Sequence, residues 1–572
     1  MYRSQKNTSH PFLFLSLVLS IAACDGDKKL VVDASKEEAN KTEQSILFHG
    51  GTIYTGVEAE PTTEAVAISN GKIIATGSLE DLSRSLNSTV EKIDLEGAVM
   101  FPGFVDAHAH FIGIGMRELT LNLEDVASIE GLIAAVAKNI KDSDETEVIY
   151  GRGWIETNWP ENRMPNRLDL DAASSDIAII LERADGHAVV ANSIALKMAG
   201  IDQDTPDPDG GRIEKDENGK PNGLLIDNAS NLVMTLLATP DEDRKRKAYS
   251  EANRVYAEYG WTGLHNMSVR PENLGLIESL SDSGDVDIRV YNSVDPDGLD
   301  ALIENGPRSS ENGKSVTRAV KLYVDGALGS RGAALTEPYS DAPSTDGLLL
   351  MTEERALAQF SKARDAEIQV NTHAIGDRGN KLLLDWYQHT LGENPHEKDH
   401  RWRIEHSQIL HVEDIPRFNA LGVIPSMQPS HAIGDLYFAP DRLGQDRLGG
   451  AYAWRSLIDS GSIIAGGSDA PVERGDPRIE FYAAVARKDL EGNDGPEWNP
   501  AERVTRTEAL KMFTLWPAIA SFQEDDLGTI EVGKNADFSV FSKDLMTIDE
   551  AEILNADVVM TVVAGQVIYK RN

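Results

Sequence analysis

The sequence contains a single cysteine, Cys24, among 572 residues. One thiol cannot form an intrachain disulfide, and it cannot build the multi-cysteine sites that hold structural zinc or iron–sulfur clusters. Any metal ion bound by this chain must therefore be held by histidine, by carboxylates or by a modified lysine.

Basic residues are scarce relative to acidic ones. Lys and Arg number 55 and Asp and Glu number 93, which gives a net charge of −38 and a pI near 4.7. A surface of this charge repels a phosphate backbone, so no nucleic acid is expected as a partner. Hydrophobic residues make up 41% of the chain, which is ample for a sizeable core and predicts a globular protein of more than one domain.

A short apolar run stands near the N-terminus. Arg3 and Lys6 precede the run, which covers residues 11–23, and the sequence becomes strongly polar after Cys24. The run is too short to span a bilayer and is typical of a secretory signal. Residues 25–45 carry many charges and no aromatic side chain, which predicts a solvated tether.

The end of this signal, Ile21-Ala22-Ala23-Cys24, resembles the lipobox of bacterial lipoproteins. By that resemblance the signal, residues 1–24, is cleaved before Cys24 and the thiol is acylated. The protein would then be exported and anchored by lipid to a bacterial membrane, on the periplasmic side or at the cell surface. The alternative is an ordinary cleaved signal in which Cys24 is incidental. The sequence leaves open whether the membrane is the inner or the outer one.

Segments at opposite ends of the chain have the pattern of β-strands. Residues 46–97 consist of short branched and aromatic runs broken by Gly or Asn, with Ser69-Asn70-Gly71 as a hairpin signal. Residues 527–572 repeat this pattern. Because each segment is too small to be stable alone, together they are predicted to form one small β-sandwich domain.

Between these segments, over residues 98–526, strand-like apolar runs alternate with amphipathic helices, one of them predicted over 508–520. This α/β pattern, with eight candidate strands, predicts a closed (β/α)8 TIM-like barrel. The candidate strands are 98–107, 262–266, 288–294, 319–324, 368–372, 402–405, 423–427 and 463–466. Residues 115–260 separate the first two strands by far more than one βα unit, so they are predicted to be an insertion within the barrel with structure of its own.

Candidate metal ligands follow several of these strands. His108 and His110 end the first, and residues two apart in an extended segment project to the same side. A His-x-His pair is weak evidence by itself, because core and surface histidines often share this spacing. The pair has companions at other strand ends: Lys321 on the fourth strand, His373 after the fifth, His406 after the sixth and Asp469 after the eighth.

In barrels of this kind the carboxyl ends of the strands form the catalytic face, and ionisable residues gathered there are usually functional. Taken singly, His373 and His406 also fit core or loop histidines, and Asp469 fits a helix N-cap.

The candidate ligands stand within an ordered series of motifs. These are Phe101-Pro102-Gly103-Phe104-Val105-Asp106-Ala107-His108-Ala109-His110, Glu182-Arg183-Ala184-Asp185-Gly186-His187, Lys321-Leu322-Tyr323-Val324-Asp325-Gly326, Asn371-Thr372-His373-Ala374-Ile375-Gly376-Asp377, Arg403-Ile404-Glu405-His406, Gly467-Ser468-Asp469-Ala470-Pro471 and Gly533-Lys534-Asn535-Ala536-Asp537. In these motifs the chain resembles the amidohydrolase superfamily, in the amidohydrolase-3 branch that includes N-substituted formamide deformylases. The resemblance covers residues 46–570 and is specific to the family rather than to a substrate.

By this resemblance one divalent ion is held by His108, His110 and Asp469, and a second by His373 and His406. Lys321 would be carboxylated, and its carbamate would bridge the two ions. The alternative is that Lys321 is a buried cation paired with Asp325 or another carboxylate, which implies one ion. Zinc is the expected metal, and manganese, iron or nickel would fit the same ligands.

The resemblance implies hydrolysis of a C–N bond in a small-molecule amide, N-formyl compound or cyclic amide. Metal-bound hydroxide would attack, and Asp469 would carry its proton to the leaving nitrogen. A mononuclear deaminase or an esterase of the same fold is an alternative, and so is a lipoprotein that binds a solute or metal without turnover.

Substrate selection is expected from the insertion and the loops over the barrel mouth. His187 is the residue predicted to contact the substrate or act as an electrophile, with a structural hydrogen bond as the alternative. Weaker candidates are Arg183, Asp185, Arg331 and His431. The sequence leaves the oligomeric state open, a homo-oligomer included.

Overall fold

The computed structural model describes residues 45–571 apart from 87–89, 125, 143–147, 157–158, 185, 209 and 496–497. The predicted signal, the candidate lipidation site Cys24 and the tether as far as residue 44 lie outside the described residues. Across the part of the chain that is described, no helix has both the length and the apolar character needed to cross a membrane.

Eight parallel strands form a nearly closed barrel in chain order, which confirms the predicted α/β barrel. The strands are Phe104–Ala109, Trp261–Val269, Arg289–Val294, Ser315–Tyr323, Gln369–Ala374, Arg403–His406, Ile424–Met427 and Ala465–Gly466. The first and last strands approach each other at the closure. There the backbone N–H of Asp469 donates to the carbonyl of His108 at 2.6 Å.

Helices accompany the barrel strands. They are Phe111–Glu118, Glu242–Tyr259, Leu274–Ser283, Leu299–Asn305, Glu353–Asp365, Asp377–Leu391, Ile415–Leu421, Pro429–Asp435, Ala439–Leu443, Trp454–Asp459, Pro477–Ala486, Arg506–Met512 and Leu515–Ala520. The single helix predicted over 508–520 is wrong, because two helices stand there. Pro517 explains the break, since it has no N–H to donate to the carbonyl of residue 513 and its ring collides with that carbonyl in a continuous helix.

The first predicted strand, 98–107, is two strands, Val99–Pro102 and Phe104–Ala109. Gly103 separates them, and its backbone N–H donates to the carbonyl of Asp537 at 2.8 Å. A Cβ at this position would lie 2.3 Å from Thr262 Oγ1, so only glycine fits where the chain crosses into the barrel. The boundary between the terminal β domain and the barrel therefore falls at residue 103, not between 97 and 98.

The two ends of the chain form one eight-stranded sheet. Its strands are Ile46–Val57, Glu60–Ser69, Lys72–Gly77, Glu91–Asp94, Val99–Pro102, Phe538–Phe541, Val558–Val563 and Gln566–Lys570, and helix Leu79–Ser85 packs beside them. Val99–Pro102 pairs with Ile46–Val57 on one side and with Phe538–Phe541 on the other. This strand therefore joins the N-terminal and C-terminal halves of the sheet around a shared core that includes Phe48, Met100 and Phe538.

The segment between the first two barrel strands contains a six-stranded sheet of its own. The strands are Leu121–Asn122, Val148–Trp154, Ala178–Arg183, Ala188–Ala191, Gly211–Lys215 and Pro221–Asp227, and the helices are Ile129–Asp142, Arg167–Ala173, Ser193–Met198 and Asn231–Met234. Alternate residues of Ala178–Arg183 enter different buried clusters, with Ile179 and Leu181 in one and Ile180 in the other. The sheet is thus covered on both faces.

Candidate metal centre

The carboxyl ends of the barrel strands bring the candidate ligands to one place. His108 lies on the first strand, His373 on the fifth and His406 on the sixth. His110 directly follows the first strand, Lys321 lies on the fourth, and Asp469 follows the eighth. Because the strands are parallel, these ends share one face of the barrel, where catalytic groups of such folds are found.

The side chains are close enough to share a cation. Asp469 Oδ1 lies 3.3 Å from His108 Nε2 and 3.1 Å from His110 Nε2. The ring centroid of His406 is 4.7 Å from that of His108 and 4.5 Å from that of His373. The imidazoles predicted to meet therefore do meet.

The tightest set of ligand atoms consists of His108, His406 and Asp469, all within 4.8 Å of one another. This set differs from the division that the family resemblance implies, in which His406 serves a second ion. A single ion could therefore be held by residues that the resemblance assigns to two different ions.

Unsatisfied atoms support a cation at this position. Asp469 Oδ1 and His373 Nε2 are buried and have no hydrogen-bond partner among the described residues. Buried polar atoms are almost always paired in folded proteins, since an unpaired one costs free energy. Imidazole nitrogens and a carboxylate are the donor set that divalent zinc and its neighbours prefer, so these residues fit such an ion.

The charge states of the ligands suit metal binding. Burial, helped by the charge of Lys321, lowers the pKa of His108 to about 4 and that of His373 to about 3. Burial alone would raise the pKa of Asp469, but the neighbouring imidazoles of His108 and His110 hold it well below its usual range. At neutral pH His108 and His373 are therefore neutral and Asp469 is ionised, which are the forms that coordinate a cation.

A buried carboxylate holds His108 in place. Glu405 is fully buried, and its Oε2 lies 2.5 Å from His108 Nδ1. Arg403, also fully buried, places Nε 2.7 Å from Glu405 Oε1. Burial opposes ionisation of Glu405, yet the charge of Arg403 and the hydrogen bond from His108 hold its pKa below the usual range. The ionised carboxylate accepts the Nδ1 proton, so the other ring nitrogen of His108 faces the ligand cluster.

Lys321 is 1% exposed, and its Nζ lies 3.3 Å from His108 Nε2. Within the described ranges no carboxylate oxygen lies within 4.0 Å of this amine. Asp325, the predicted alternative partner, instead accepts backbone N–H groups of Ala334, Ile375 and Gly376. The pairing of Lys321 with Asp325 is therefore wrong. Burial lowers the pKa of Lys321 to about 8, so a larger share of the amine is neutral at pH 7.

Two further residues chosen from the sequence are His431 and His187. His431 lies beside the cluster: it is 7% exposed, and its Nε2 lies 3.7 Å from Asp469 Oδ2. His187 lies in the insertion, and its Nδ1 is 2.9 Å from Asp227 Oδ1.

The remaining substrate candidates are bound elsewhere or lie outside the described residues. Arg183 Nε lies 2.8 Å from Glu156 Oε2, within the insertion. Arg331 pairs with Asp341 at 2.7 Å on a part-exposed loop. Asp185 is outside the described part of the chain. The substrate roles of these residues stay predictions.

Sequence reasoning did not single out the buried carboxylates around the ligands. Asp106 accepts the backbone N–H of Ser468 at 2.9 Å and the hydroxyl of Tyr256 at 2.9 Å, so it anchors the loop that carries Asp469. Burial raises its pKa to about 6. For Asp106 the available signal was a carboxylate within a mainly apolar strand, and for Glu405 it was an Arg-x-Glu-His run at a strand predicted to be buried, because ionisable groups are rarely buried without a partner.

Comparisons with known proteins agree with this geometry. The model of the family described as "Amidohydrolase family" matches residues 91–569. A putative amidohydrolase, YtcJ, of Bacillus subtilis is 35% identical over 92% of this chain and 99% of its own length. The N-substituted formamide deformylase of Arthrobacter pascens is 26% identical over 89% of this chain and 95% of its own.

A solved structure is similar as well. The crystal structure of an uncharacterized metal-dependent hydrolase of Pyrococcus horikoshii superposes with a TM-score of 0.73 and 27% sequence identity. The superposition covers 89% of this chain and 99% of that one. The family match, the relatives and the clustered ligands agree: the chain belongs to the amidohydrolase family and is a metal-dependent hydrolase of the barrel type.

Proposed function

We propose that this protein hydrolyses a C–N bond in an amide, an N-formyl compound or a cyclic amide. The observation that carries the proposal is the meeting of His108, His406 and Asp469 within 4.8 Å, with His110, His373 and Lys321 around them. The relative named as an N-substituted formamide deformylase supports a C–N substrate. An amide needs both activation of water and protonation of the departing nitrogen, and this cluster has groups suited to both tasks.

In the proposed site, His108, His110 and Asp469 would hold one divalent cation, His373 and His406 would hold a second, and a carbamate on Lys321 would supply oxygen ligands. When bound, such ions act as Lewis acids toward water and toward the substrate carbonyl. The neutral form of Lys321 is the one that reacts with carbon dioxide, and its burial beside neutral imidazoles favours that form.

Asp469 is the proposed proton carrier. Its two oxygens face different neighbours: Oδ1 lies near His108 and His110, whereas Oδ2 lies 3.7 Å from His431 Nε2. Because the carboxylate stays ionised, it can accept a proton at Oδ2 and release it to the leaving nitrogen. An amine is a poor leaving group until it is protonated, so this transfer completes the cleavage.

His187 is the proposed residue for contact with the substrate. Asp227 fixes its orientation twice, since the Asp227 backbone N–H donates to the His187 carbonyl at 2.9 Å and the side chains are joined at Nδ1. The carboxylate fixes the tautomer and the orientation of the ring, and an imidazole held in this way can hydrogen-bond a polar group of a substrate.

The test is elemental analysis of purified protein beside a His108→Ala variant, followed by a screen of N-formyl, N-acyl and cyclic amides. We expect the wild type to retain zinc or a similar ion and the variant to lose most of it. The products of the screen should be an amine and a carboxylic acid, which a cyclic amide yields as one ring-opened molecule. Equal metal content in both proteins would overturn the proposed centre. Release of ammonia or of an alcohol would instead identify a deaminase or an esterase.

We further propose that the mature protein is membrane-anchored through a lipid on Cys24. The lipobox-like sequence before this residue supports the proposal. A Cys24→Ser variant expressed with labelled fatty acid should stay unlabelled and leave the membrane fraction, whereas the unaltered protein should be labelled and remain there. Equal labelling of the two would contradict it.

A further inference from the structure

A cavity of about 340 Å³ lies between the insertion and the loop that follows the fourth barrel strand. His187, Val189 and Met234 line it from the insertion. Leu348 and Leu350 line it from the loop. Polar side chains of the insertion line it as well: Glu182, Asp227, Asn228, Ser230 and Asn231. The cavity thus combines a polar part, which includes the His187 imidazole, with an apolar part formed by Val189, Met234, Leu348 and Leu350, as small-molecule pockets do.

The loop presents three consecutive exposed leucines. Leu348, Leu349 and Leu350 are 46%, 42% and 54% exposed. Large apolar side chains side by side at a surface indicate a binding site more often than scattered ones do. In extended backbone, successive side chains point to opposite sides. Leu348 and Leu350 accordingly line the cavity, and Leu349 is not among its lining residues.

Backbone hydrogen bonds hold this loop against the metal centre. The N–H of Leu348 donates to the Gly332 carbonyl at 3.0 Å, and that of Leu350 donates to the Val324 carbonyl at 2.8 Å. The Val324 N–H in turn donates to the carbonyl of His373, a candidate ligand, at 2.9 Å. The leucines are thus exposed on an ordered backbone that is linked directly to a ligand-bearing strand.

We propose that this cavity binds an apolar hydrocarbon group of the substrate, placed between Leu348 and Leu350 on one side and Val189 and Met234 on the other. The inference rests on the proposed hydrolysis of a C–N bond and names the substrate class: amides that carry an extended alkyl or aryl substituent. The substituent belongs either to the acyl group or to the amine. Each methylene that enters the cavity should raise kcat/KM about two- to fourfold, the gain for burying one such group.

The experiment uses the metal-loaded enzyme and two substrate series. One series lengthens the acyl chain of a methylamide from two to eight carbons, and the other lengthens the N-alkyl group of a formamide from one to eight. The variants are Leu348→Gln combined with Leu350→Gln, and the matched control Leu349→Gln on the same loop. Equilibrium binding of N-octylformamide to metal-free enzyme is measured in parallel.

We expect kcat/KM to rise with chain length in one of the two series, which identifies the side of the bond that enters the cavity. The rise should be lost in the double variant and kept in Leu349→Gln, and the double variant should bind N-octylformamide at least tenfold more weakly. If the enzyme hydrolyses amides and both variants keep the same chain-length dependence, the cavity assignment is wrong.

Absence of hydrolysis with every amide would contradict the proposed function instead, and the binding measurement would still decide the cavity. Equal binding of N-octylformamide by the wild type and the double variant would overturn the assignment in that case too. A change in sedimentation of the double variant without any change in chain-length dependence would assign the leucines to contact between copies and also overturn it.

Discussion

The carboxylate of Glu405 lies behind the ring of His108, on the side away from the other candidate ligands. It is ionised because Arg403 and His108 compensate the cost of its burial. A carboxylate in this position fixes the imidazole tautomer and raises its basicity, so it acts on metal binding through His108 without touching the ion.

Glu405→Gln should weaken metal binding by roughly 10- to 100-fold, the usual effect of removing such a carboxylate. The amide keeps the size of the side chain but loses the charge that accepts the His108 Nδ1 proton. Competition with a chelator measures the affinity. Glu413→Gln, which changes an exposed carboxylate in the following loop, is the control and should bind like wild type. Equal affinities for all three proteins would contradict this account.

Lys321→Met should lower the number of ions bound per chain, because an apolar side chain cannot form a carbamate. In the wild type, uptake of metal by stripped protein should be faster with bicarbonate, and the variant should show no such effect. Lys381→Met, on an exposed helix position, serves as control. The same number of ions per chain in Lys321→Met as in the wild type, with no effect of bicarbonate on metal uptake in either protein, would indicate an unmodified lysine and one ion.

The candidate ligands that the structure brings together could be chosen from the sequence, because their chemistry is distinctive and they lie at or just after strand ends. His108, His373, His406 and Asp469 are examples. The residues that support them could not be predicted. No local sequence pattern indicates that Glu405 accepts a hydrogen bond from the His108 ring, which is 297 residues away in the chain. Distant pairs of this kind depend on strand order and on the register of the barrel.

At the scale of elements, two helices meet backbone to backbone next to the site. Phe111–Glu118 starts directly after His110 and packs on Glu242–Tyr259. A Cβ at Gly115 would lie 1.7 Å from the carbonyl oxygen of Ala248. The close approach depends on this glycine, because any side chain there would push the helices apart.

Gly115→Ala should destabilise the protein by about 1–3 kcal/mol, the range for an overpacked contact. Urea unfolding measures the change. Gly275→Ala is the matched control: it also lies in a helix, with nothing within 4 Å of its would-be Cβ. There alanine should stabilise by about 0.5–1 kcal/mol through helix propensity. Similar effects of the two substitutions would show that the helices tolerate separation.

The eight barrel strands could be predicted from the alternation of apolar runs and helices. The wrong predictions concerned the ends of individual strands and helices. Residues 98–107 are apolar on both sides of Gly103, so hydrophobicity does not mark the transfer from terminal sheet to barrel. The dipeptide Pro102-Gly103 was the local signal for this break. The break before Pro517 had a local signal, because proline interrupts a helix that would otherwise run through it.

At the scale of the whole molecule, a buried ion pair joins the barrel to the terminal sheet. Arg289, which starts the third barrel strand, places Nε 2.5 Å from Asp537 Oδ2. Both side chains are largely buried, so each charge depends on the other for compensation.

Arg289→Met should cost about 3–5 kcal/mol, because it leaves the Asp537 carboxylate buried without its partner. Adding Asp537→Asn removes that charge while keeping an acceptor for the Ala564 N–H, so the double variant should recover part of the loss. Denaturant unfolding of the four proteins gives the coupling energy. If the loss of unfolding free energy in the double variant equals the sum of the losses in the two single variants, the two residues are independent.

The pairing of the two chain ends could be predicted, because neither β segment is large enough to be stable alone. The order of the strands in the shared sheet could not. Val99–Pro102 lies at the middle of the sheet, between strands from opposite ends of the chain. Contacts between residues distant in sequence determine this strand order, and local β-propensity does not predict such contacts.

The hydrogen bond from Asp469 to the carbonyl of His108 closes the barrel and at the same time joins two candidate ligands. A nascent polypeptide that has emerged only as far as residue 468 lacks both the seam and a complete set of donors. Completion of the candidate metal site is therefore a late event in the biogenesis of this protein, because the barrel seam and the carboxylate donor arrive together.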